Sequence, residues 1–81
     1  MPPRPRYSMP GYILDALNEH GLMEAYRSRP PYQQNDYIGW ITRAKLEATG
    51  QKRLGQMLAE LKGGKYYMSM EWKSLLNTGN R

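Results

Sequence analysis

The residues that could support acid–base or metal chemistry are few and form no recognisable set. His20 is the only histidine among 81 residues, there is no cysteine, and Asp and Glu together number 7. A general base needs an organised partner nearby, whereas His20 precedes Gly21 at a predicted helix end. Asp15 and Glu19 have helical i, i+4 spacing, but we expect both to be solvated. We therefore predict no catalytic residue, no metal site and no cofactor, and expect a protein that is not an enzyme.

Four basic side chains flank a predicted connection between two helices and could contact an anionic partner. A helix, a short turn and the sequence Thr49-Gly50-Gln51 loosely resemble a helix-turn-helix, in which polar side chains early in the second helix reach phosphates or base edges. The net charge of +5 is nevertheless spread along the chain. We prefer to interpret these cations as a solvated face, and keep a small DNA-binding protein as the alternative. The four candidates are Arg43, Lys45, Lys52 and Arg53.

Aromatic and methionine side chains form the second candidate surface. The chain has 7 Tyr, 2 Trp, 6 Met and no Phe. Tyr and Trp join an apolar ring to a polar tip, which suits both a core and an interface, and Met adapts to irregular contacts. We predict a protein partner here, and a C-terminal arm carrying this surface could also join two copies of the chain. The candidate residues are Tyr32, Tyr67, Met68, Met70 and Trp72.

Prolines and glycines divide the chain into helices that would position these side chains. Pro10 and Pro31 suit the first turn of a helix, where a missing N–H has no consequence. Gly21 and Gly63-Gly64 suit helix ends, because glycine adopts the left-handed conformation without strain. Residues 22–28 add one or two turns between the first two main helices. The sequence therefore predicts an all-α fold, a small bundle of three main helices with an extended C-terminal arm.

All four candidate cations flank the connection between the second and third main helices. We expect Arg43 and Lys45 in the last turn of the second helix, where cations complement the helix dipole. Residues 46–48 then form a short connection or a fraying end. Glu47 suits the first turn of the third helix, and Thr49 could cap a later start. The polar face of that third helix carries Lys52, Gln56, Ala59 and Glu60.

Apolar residues at helical spacing predict the core. Trp40 or Trp72 could close it, because a domain of this size has little stability to spare. The tail from residue 66 to 76 fits both a strand and a helix pattern. We interpret it as an extended arm lying on the bundle, because a lone strand has no partner in a helical chain. The predicted core residues are Ile13, Leu17, Tyr26, Tyr37, Ile41, Leu54, Met57, Leu58 and Leu61.

The domain organisation follows from composition. Residues 1–8 are rich in proline and arginine, and we expect a flexible lead with little to bury. Residues 9–72 form a single helical domain, and residues 73–81 are expected to be a disordered tail. No apolar stretch is long enough for a membrane span or a secretory signal. We therefore expect no membrane span and a cytoplasmic location.

The middle of the chain carries a set of segments that recur together in one family: Arg29 to Ile41, Arg43-Ala44-Lys45, Thr49, Lys52-Arg53-Leu54 and Gly63-Gly64. In these segments the chain resembles the YdeI/OmdA family, described as bacteriocin-protection, YdeI- or OmpD-associated. This chain has Glu47 where the family has a proline and Gly50 where it has an arginine, so any role of that arginine is absent. The resemblance implies a bacterial helical module linked to envelope stress or bacteriocin tolerance, with no known chemistry. We therefore expect a protein-interaction module.

Overall fold

The computed structural model describes residues 6–71, which form four helices followed by a short β-hairpin. This confirms the predicted all-α fold with three main helices, a short intermediate helix and an extended arm. Trp72 and the tail 73–81 lie outside the described residues, as do residues 1–5. In chain order the elements are α1 (Gly11–Glu19), α2 (Met23–Arg27), α3 (Pro31–Thr42), α4 (Glu47–Gly63), β1 (Tyr66–Tyr67) and β2 (Met70–Glu71).

Proline and glycine set the helix boundaries largely as predicted. Pro31 occupies the first turn of α3, and Gly64 ends α4 in the left-handed conformation with a φ of 75°. Gly21 has a φ of 66°, and its N–H donates to the Asn18 carbonyl while the next N–H reaches back to Leu17. This paired arrangement is the Schellman motif, which closes a helix. Pro10 lies one position earlier than expected, as the N-cap of α1.

The connection between α3 and α4 differs from the prediction. The helix α3 ends at Thr42, so Arg43 is its C-cap residue and Lys45 lies in the connection, not in the last turn. The helix α4 begins at Glu47, and Thr49 lies inside it. The Thr42 hydroxyl donates to the Ile38 carbonyl over 2.7 Å, a side-chain bond that competes with continued helix. The expectation that Glu47 lies in the first turn of α4 is therefore confirmed, whereas the alternative of a later start capped by Thr49 was wrong.

The core lies between the helices and contains eight of the nine predicted residues. The exception is Leu58, which is only partly buried and packs against the core from its edge. Ile38 is buried in addition to the predicted set, and Trp40 packs against the core as a partly buried side chain. The buried residues are Ile13, Leu17, Tyr26, Tyr37, Ile38, Ile41, Leu54, Met57 and Leu61.

The C-terminal arm is a hairpin that pairs with itself and packs on α4. Tyr66 pairs with Glu71 and Tyr67 with Met70, in an antiparallel register closed by a two-residue turn. The strand pattern was discounted for want of a partner, and the hairpin supplies that partner within six residues. As a result, a polar face of α4 is covered.

Candidate interaction surface

The carboxylate of Glu60 on α4 accepts hydrogen bonds from α3, from α4 itself and from the hairpin turn. Its Oε1 accepts the hydroxyl of Tyr37 over 2.5 Å and the backbone N–H of Met68 over 2.8 Å. Its Oε2 accepts the backbone N–H of Ser69 over 2.8 Å and the side-chain amide of Gln56 over 3.0 Å. Only 8% of Glu60 is exposed. The carboxylate therefore joins α3, α4 and the hairpin turn at one buried point.

These contacts shift the protonation equilibria of Glu60 and Tyr37. Burial alone would raise the pKa of Glu60, but the hydrogen bonds from Tyr37, Ser69, Met68 and Gln56 outweigh it and hold the pKa below its usual value. Burial raises the pKa of Tyr37 strongly, and its bond to the Glu60 carboxylate raises it further. At neutral pH Glu60 is therefore a charged acceptor and Tyr37 a neutral donor.

The hairpin turn has a backbone conformation that its residues disfavour. Met68 and Ser69 have φ values of 52° and 69°, as in a type I′ turn. Such turns prefer Asn or Gly, because a Cβ atom disfavours the left-handed region. The N–H groups of both residues point at the Glu60 carboxylate. These two charge-assisted bonds offset the unfavourable conformation and fix the hairpin in place.

A second buried charge, Arg29, lies beside this carboxylate and is also fully engaged. Arg29 is 4% exposed, and its guanidinium donates to Gln33 Oε1 and to the main-chain carbonyl of Glu60, both over 3.1 Å. The amide of Gln33 in turn donates to the hydroxyl of Tyr32 over 3.1 Å. Within residues 6–71 no buried side-chain nitrogen or oxygen lacks a hydrogen-bond partner. We therefore assign the buried charges a structural role.

A surface at the hairpin, here called the hairpin face, consists of the exposed side chains of Tyr32 and Met70 and the half-buried side chain of Tyr67. The ring of Tyr67 meets that of Tyr32 edge-on at 6.0 Å and that of Tyr37 at 5.5 Å. The Tyr67 hydroxyl donates to Asp36 Oδ2 over 2.5 Å. Met70 is the cross-strand partner of Tyr67, so the two side chains leave the same side of the hairpin. Tyr32 is 48% exposed and Met70 59% exposed.

The predicted protein-binding residues are thus only partly brought together. Tyr32, Tyr67 and Met70 are assigned to the hairpin face, whereas Met68 lies in the turn; Met68 and Tyr67 are both half-buried and pack against the core. Trp72 lies outside the described residues. Sequence reasoning missed Glu60 as the residue that positions this surface, because the helical pattern assigned it to a polar face.

The predicted cations lie around the C-terminal end of α3. Arg53 donates to the Trp40 carbonyl over 2.6 Å, and its guanidinium lies 5.3 Å from the centre of the Trp40 ring. Arg43 donates through Nε to the Gly39 carbonyl over 3.2 Å. The Trp40 carbonyl that Arg53 binds is left open by the end of the helix, whereas the Gly39 carbonyl also accepts the main-chain N–H of Arg43. Arg43, Lys45 and Lys52 are exposed, and Arg53 is half-exposed.

The N-terminal segment places one further aromatic side chain on α3. The N–H of Tyr7 donates to Asn35 Oδ1 over 2.9 Å, and its half-buried ring packs on Gly39 with Arg43 5.6 Å from the ring centre. Residues 6–8 were expected to have little to bury. The half-buried ring of Tyr7 shows that this expectation was wrong. The sequence feature that could have revealed the contact is Gly39, a glycine inside a helix.

The described residues contain neither a cluster of metal-binding side chains nor a membrane-spanning helix. Across residues 6–71 no group of three or more His, Asp or Glu side chains is arranged to hold a metal ion. None of the helices in that range is long and apolar enough to cross a bilayer.

Comparison with known proteins gives a single family match. The family model described as OmdA, bacteriocin-protection, YdeI or OmpD-associated, matches residues 6–64. That range takes in the Tyr7 segment and all four helices and stops before the hairpin. No curated protein and no solved structure matches the chain significantly.

Proposed function

Since this chain belongs to the OmdA family of bacteriocin-protection, YdeI- or OmpD-associated proteins, we propose that it acts as a helical protein-interaction module. The hairpin face is the surface that binds the partner. A module of this kind protects by binding a protein involved in bacteriocin tolerance or envelope stress, in the bacterial cytoplasm. The partner contributes an apolar contact with polar groups at its edge, because tyrosine presents a ring and a hydroxyl together.

The observation that carries this proposal is the construction of the hairpin turn. Met68 and Ser69 are both held at positive φ by one buried carboxylate. Backbone conformations of this kind persist only where surrounding contacts impose them, and they cluster at functional sites. Directly after the turn comes Met70, which is 59% exposed and leaves the hairpin on the same side as Tyr67. An exposed methionine on a fixed support suits binding, since the support loses little freedom when a partner docks.

A binding role is preferred to catalysis because the strongest titratable pair is already engaged. Glu60 and Tyr37 hydrogen-bond each other, and both oxygens of Glu60 hold the hairpin. A carboxylate whose pKa is lowered and whose oxygens are bound is a poor general base. This argument supports a protein that is not an enzyme.

The DNA-binding alternative draws less support from the same structure. Arg43 and Arg53 both donate to carbonyls of α3, so part of each guanidinium is already engaged, although Arg43 is exposed like Lys45 and Lys52. Contacts from all four cations to phosphates would give log affinity against log salt a slope of about −3.6. Retention on DNA with a slope this steep would favour the alternative over the protein-interaction module.

The test compares three versions of the full chain as bait in a native bacterial lysate. They are the wild type, Met70→Glu on the hairpin face, and Leu14→Glu as the matched control on α1, where Leu14 is 41% exposed. Both substitutions add the same charge at an exposed apolar position, so folding and net charge are matched. We expect a protein that is retained by the wild type and by Leu14→Glu but lost with Met70→Glu.

Quantitative mass spectrometry of the retained proteins is the readout. A charged group at the centre of an apolar contact reduces affinity by about tenfold or more, since it loses solvation without gaining a partner. Equal retention by Met70→Glu and Leu14→Glu would overturn the assignment of the hairpin face. The same variants expressed in cells challenged with bacteriocins should show the same order of protection.

A further inference from the structure

One face of α3 forms a groove that holds a segment of this same chain. Asn35, Gly39 and Arg43 recur every four residues and so lie along one helix face, here called the α3 groove. Each contacts Tyr7 in a different way: by a hydrogen bond to its N–H, by close packing under its ring, and by a guanidinium at 5.6 Å. All three contacts therefore converge on one residue of an extended segment.

The fit under the ring is closest at Gly39. A Cβ atom at this position would come within 2.5 Å of Tyr7 Cε2 and 2.8 Å of Cδ2. Gly55 on α4 has nothing within 4 Å of such an atom. Glycine in a helix interior is unfavourable by roughly 1 kcal/mol relative to alanine. At Gly39, that disfavoured choice makes room for an aromatic ring.

The groove continues on both sides of Tyr7, beyond what the segment fills. On one side lies an open concavity of about 410 Å³, whose lining includes Tyr26, Tyr32 and Gln34. On the other side lies one of about 250 Å³, whose lining includes Trp40 and Met68. Both concavities are lined by Tyr7 and Asn35 as well. The groove is therefore longer than the single tyrosine contact.

These contacts are the kind that select an extended peptide. A side-chain carbonyl accepts a hydrogen bond from a main-chain N–H of the peptide, and an aromatic side chain of the peptide packs in a cleft beside a cation. The segment is flanked by proline in the sequence, at Pro5 and Pro10. Pro10 has φ −68° and ψ 156°, the polyproline II conformation. Proline thus restricts the segment to the extended form before it binds, which lowers the entropy lost on docking.

We propose that the α3 groove binds an extended, proline-flanked tyrosine segment of a second protein, and that residues 6–9 of this chain occupy the groove until such a segment displaces them. This inference rests on the proposed function, because it adds a second, self-occupied binding surface to the same interaction module. Residues 6–9 are covalently attached to the helices, so their local concentration at the groove is high. A segment of another protein can therefore bind only the fraction of molecules whose groove is open.

The test uses a labelled peptide with the sequence of residues 1–10, Met-Pro-Pro-Arg-Pro-Arg-Tyr-Ser-Met-Pro, and the full chain in several variants. Binding is followed by fluorescence anisotropy. Tyr7→Ala removes the competing ring, so we expect saturable binding to this variant and affinity at least about tenfold weaker for the wild type, as a groove about one-tenth open requires. The same peptide with alanine in place of its tyrosine should not bind.

Two further substitutions in the Tyr7→Ala background locate the site. Gly39→Ala places a methyl group where the ring must lie, so the peptide should lose at least tenfold in affinity. Gly55→Ala is the matched control, since that methyl group meets open space, and it should leave binding unchanged. Circular dichroism verifies that each variant is folded. No saturable binding to folded Tyr7→Ala, or equal binding by the Gly39→Ala and Gly55→Ala variants, would overturn the proposal.

If Tyr7→Ala does not fold, isotope-labelled wild-type protein replaces it. Unlabelled peptide in excess should move the amide resonances of Tyr7 and Ser8 towards positions of an unfolded chain, and unchanged resonances at millimolar peptide would contradict displacement. The Met70→Glu variant separates this inference from the proposed function. It should bind the peptide as the wild type does. A negative result for the hairpin face in the lysate experiment would therefore not affect the peptide result, and a negative peptide result would not affect the lysate experiment.

Discussion

Two charged side chains of α4 fix two connections of this molecule, and they differ chiefly in burial. Glu60 is buried and accepts the N–H groups of the hairpin turn. Arg53, seven residues earlier, is half-exposed and donates to the Trp40 carbonyl at the end of α3. Each bonds to backbone groups left open by a turn or a helix end. The comparison shows that similar hydrogen bonds contribute different amounts to the free energy of unfolding, because water competes for the exposed ones and not for the buried ones.

The physical reason is what remains when the charged group is removed. Without Glu60, the Tyr37 hydroxyl loses a charged acceptor in a place that water does not reach, and the partly buried N–H groups of the turn lose the same acceptor. An unsatisfied buried donor costs about 1–3 kcal/mol. Without Arg53, the Trp40 carbonyl lies at a half-exposed helix end where water replaces the guanidinium. Half-exposed interactions of this kind contribute little, because water competes for both partners.

If burial makes this difference, Glu60→Ala should have the largest effect on stability. We expect the free energy of unfolding to fall by about 3 kcal/mol, measured in urea, because several buried donors lose their acceptor at once. The hairpin should also detach from α4, since both bonds that hold its turn are lost. Hydrogen exchange at the amides of Met68 and Ser69 should therefore become fast.

The matched control for this prediction is Glu19→Ala. Glu19 is exposed at the end of α1, so its loss should change stability by less than about 0.5 kcal/mol. A similar small loss for Glu60→Ala, with slow exchange at Met68 and Ser69, would show that the carboxylate does not hold the hairpin.

The second prediction concerns the other connection. Arg53→Ala should lower the free energy of unfolding by about 1 kcal/mol, from one hydrogen bond and a partly exposed stacking contact with Trp40. The emission of Trp40 should shift to longer wavelength as its ring becomes more exposed. Lys52→Ala, at an exposed neighbouring position, should change neither quantity measurably. If Arg53→Ala lowered the free energy of unfolding as much as Glu60→Ala, burial could not explain the difference between the two connections.

Local sequence rules predicted the helices well because each rule depends on nearby residues. Pro31 and Gly64 mark boundaries that the structure confirms, since their backbone preferences hold in any fold. The end of α3 was placed too late. The side chains of Arg43 and Thr42 bond to carbonyls within reach of the same turn, but the Gly39 carbonyl already accepts the main-chain N–H of Arg43. The open Trp40 carbonyl is bound by Arg53, which is not local in sequence.

The candidate site was predicted less well because its construction is not local. Helical periodicity shows which face of α4 is polar but not what covers that face. The hairpin covers Glu60, and nothing in the spacing around residue 60 indicates this. Tyr7 was missed for the same reason, since its partner Asn35 lies 28 residues away. Tyr32, Tyr67 and Met70 were proposed from residue type, which does not show exposure, and the same reasoning also selected Met68, which lies half-buried in the turn.

The mildest perturbation of the buried connection is protonation of Glu60 in the unmutated protein. Its pKa is lower in the folded chain than the usual value, so the charged form is the one that folding favours. This contribution is fully present above the unfolded-state pKa of about 4.3. It is lost as the pH falls through the folded-state pKa. We therefore expect the free energy of unfolding, measured in urea across acidic pH, to decline below about pH 4.3.

Tyr37→Phe sharpens this prediction, because it removes one of the hydrogen bonds that lower the pKa of Glu60. The folded-state pKa then lies closer to the unfolded-state value, so the total decline should be smaller and should end at higher pH than in the wild type, while its onset stays the same. Tyr12→Phe, at an exposed tyrosine of α1, should leave the size of the decline unchanged. Equal declines in Tyr37→Phe and Tyr12→Phe would mean that the Tyr37 bond does not stabilise the charged carboxylate. A smaller decline in Tyr37→Phe alone would show that the bond favours the charge, and that the hairpin turn is held by a carboxylate whose protonation state is itself set by α3.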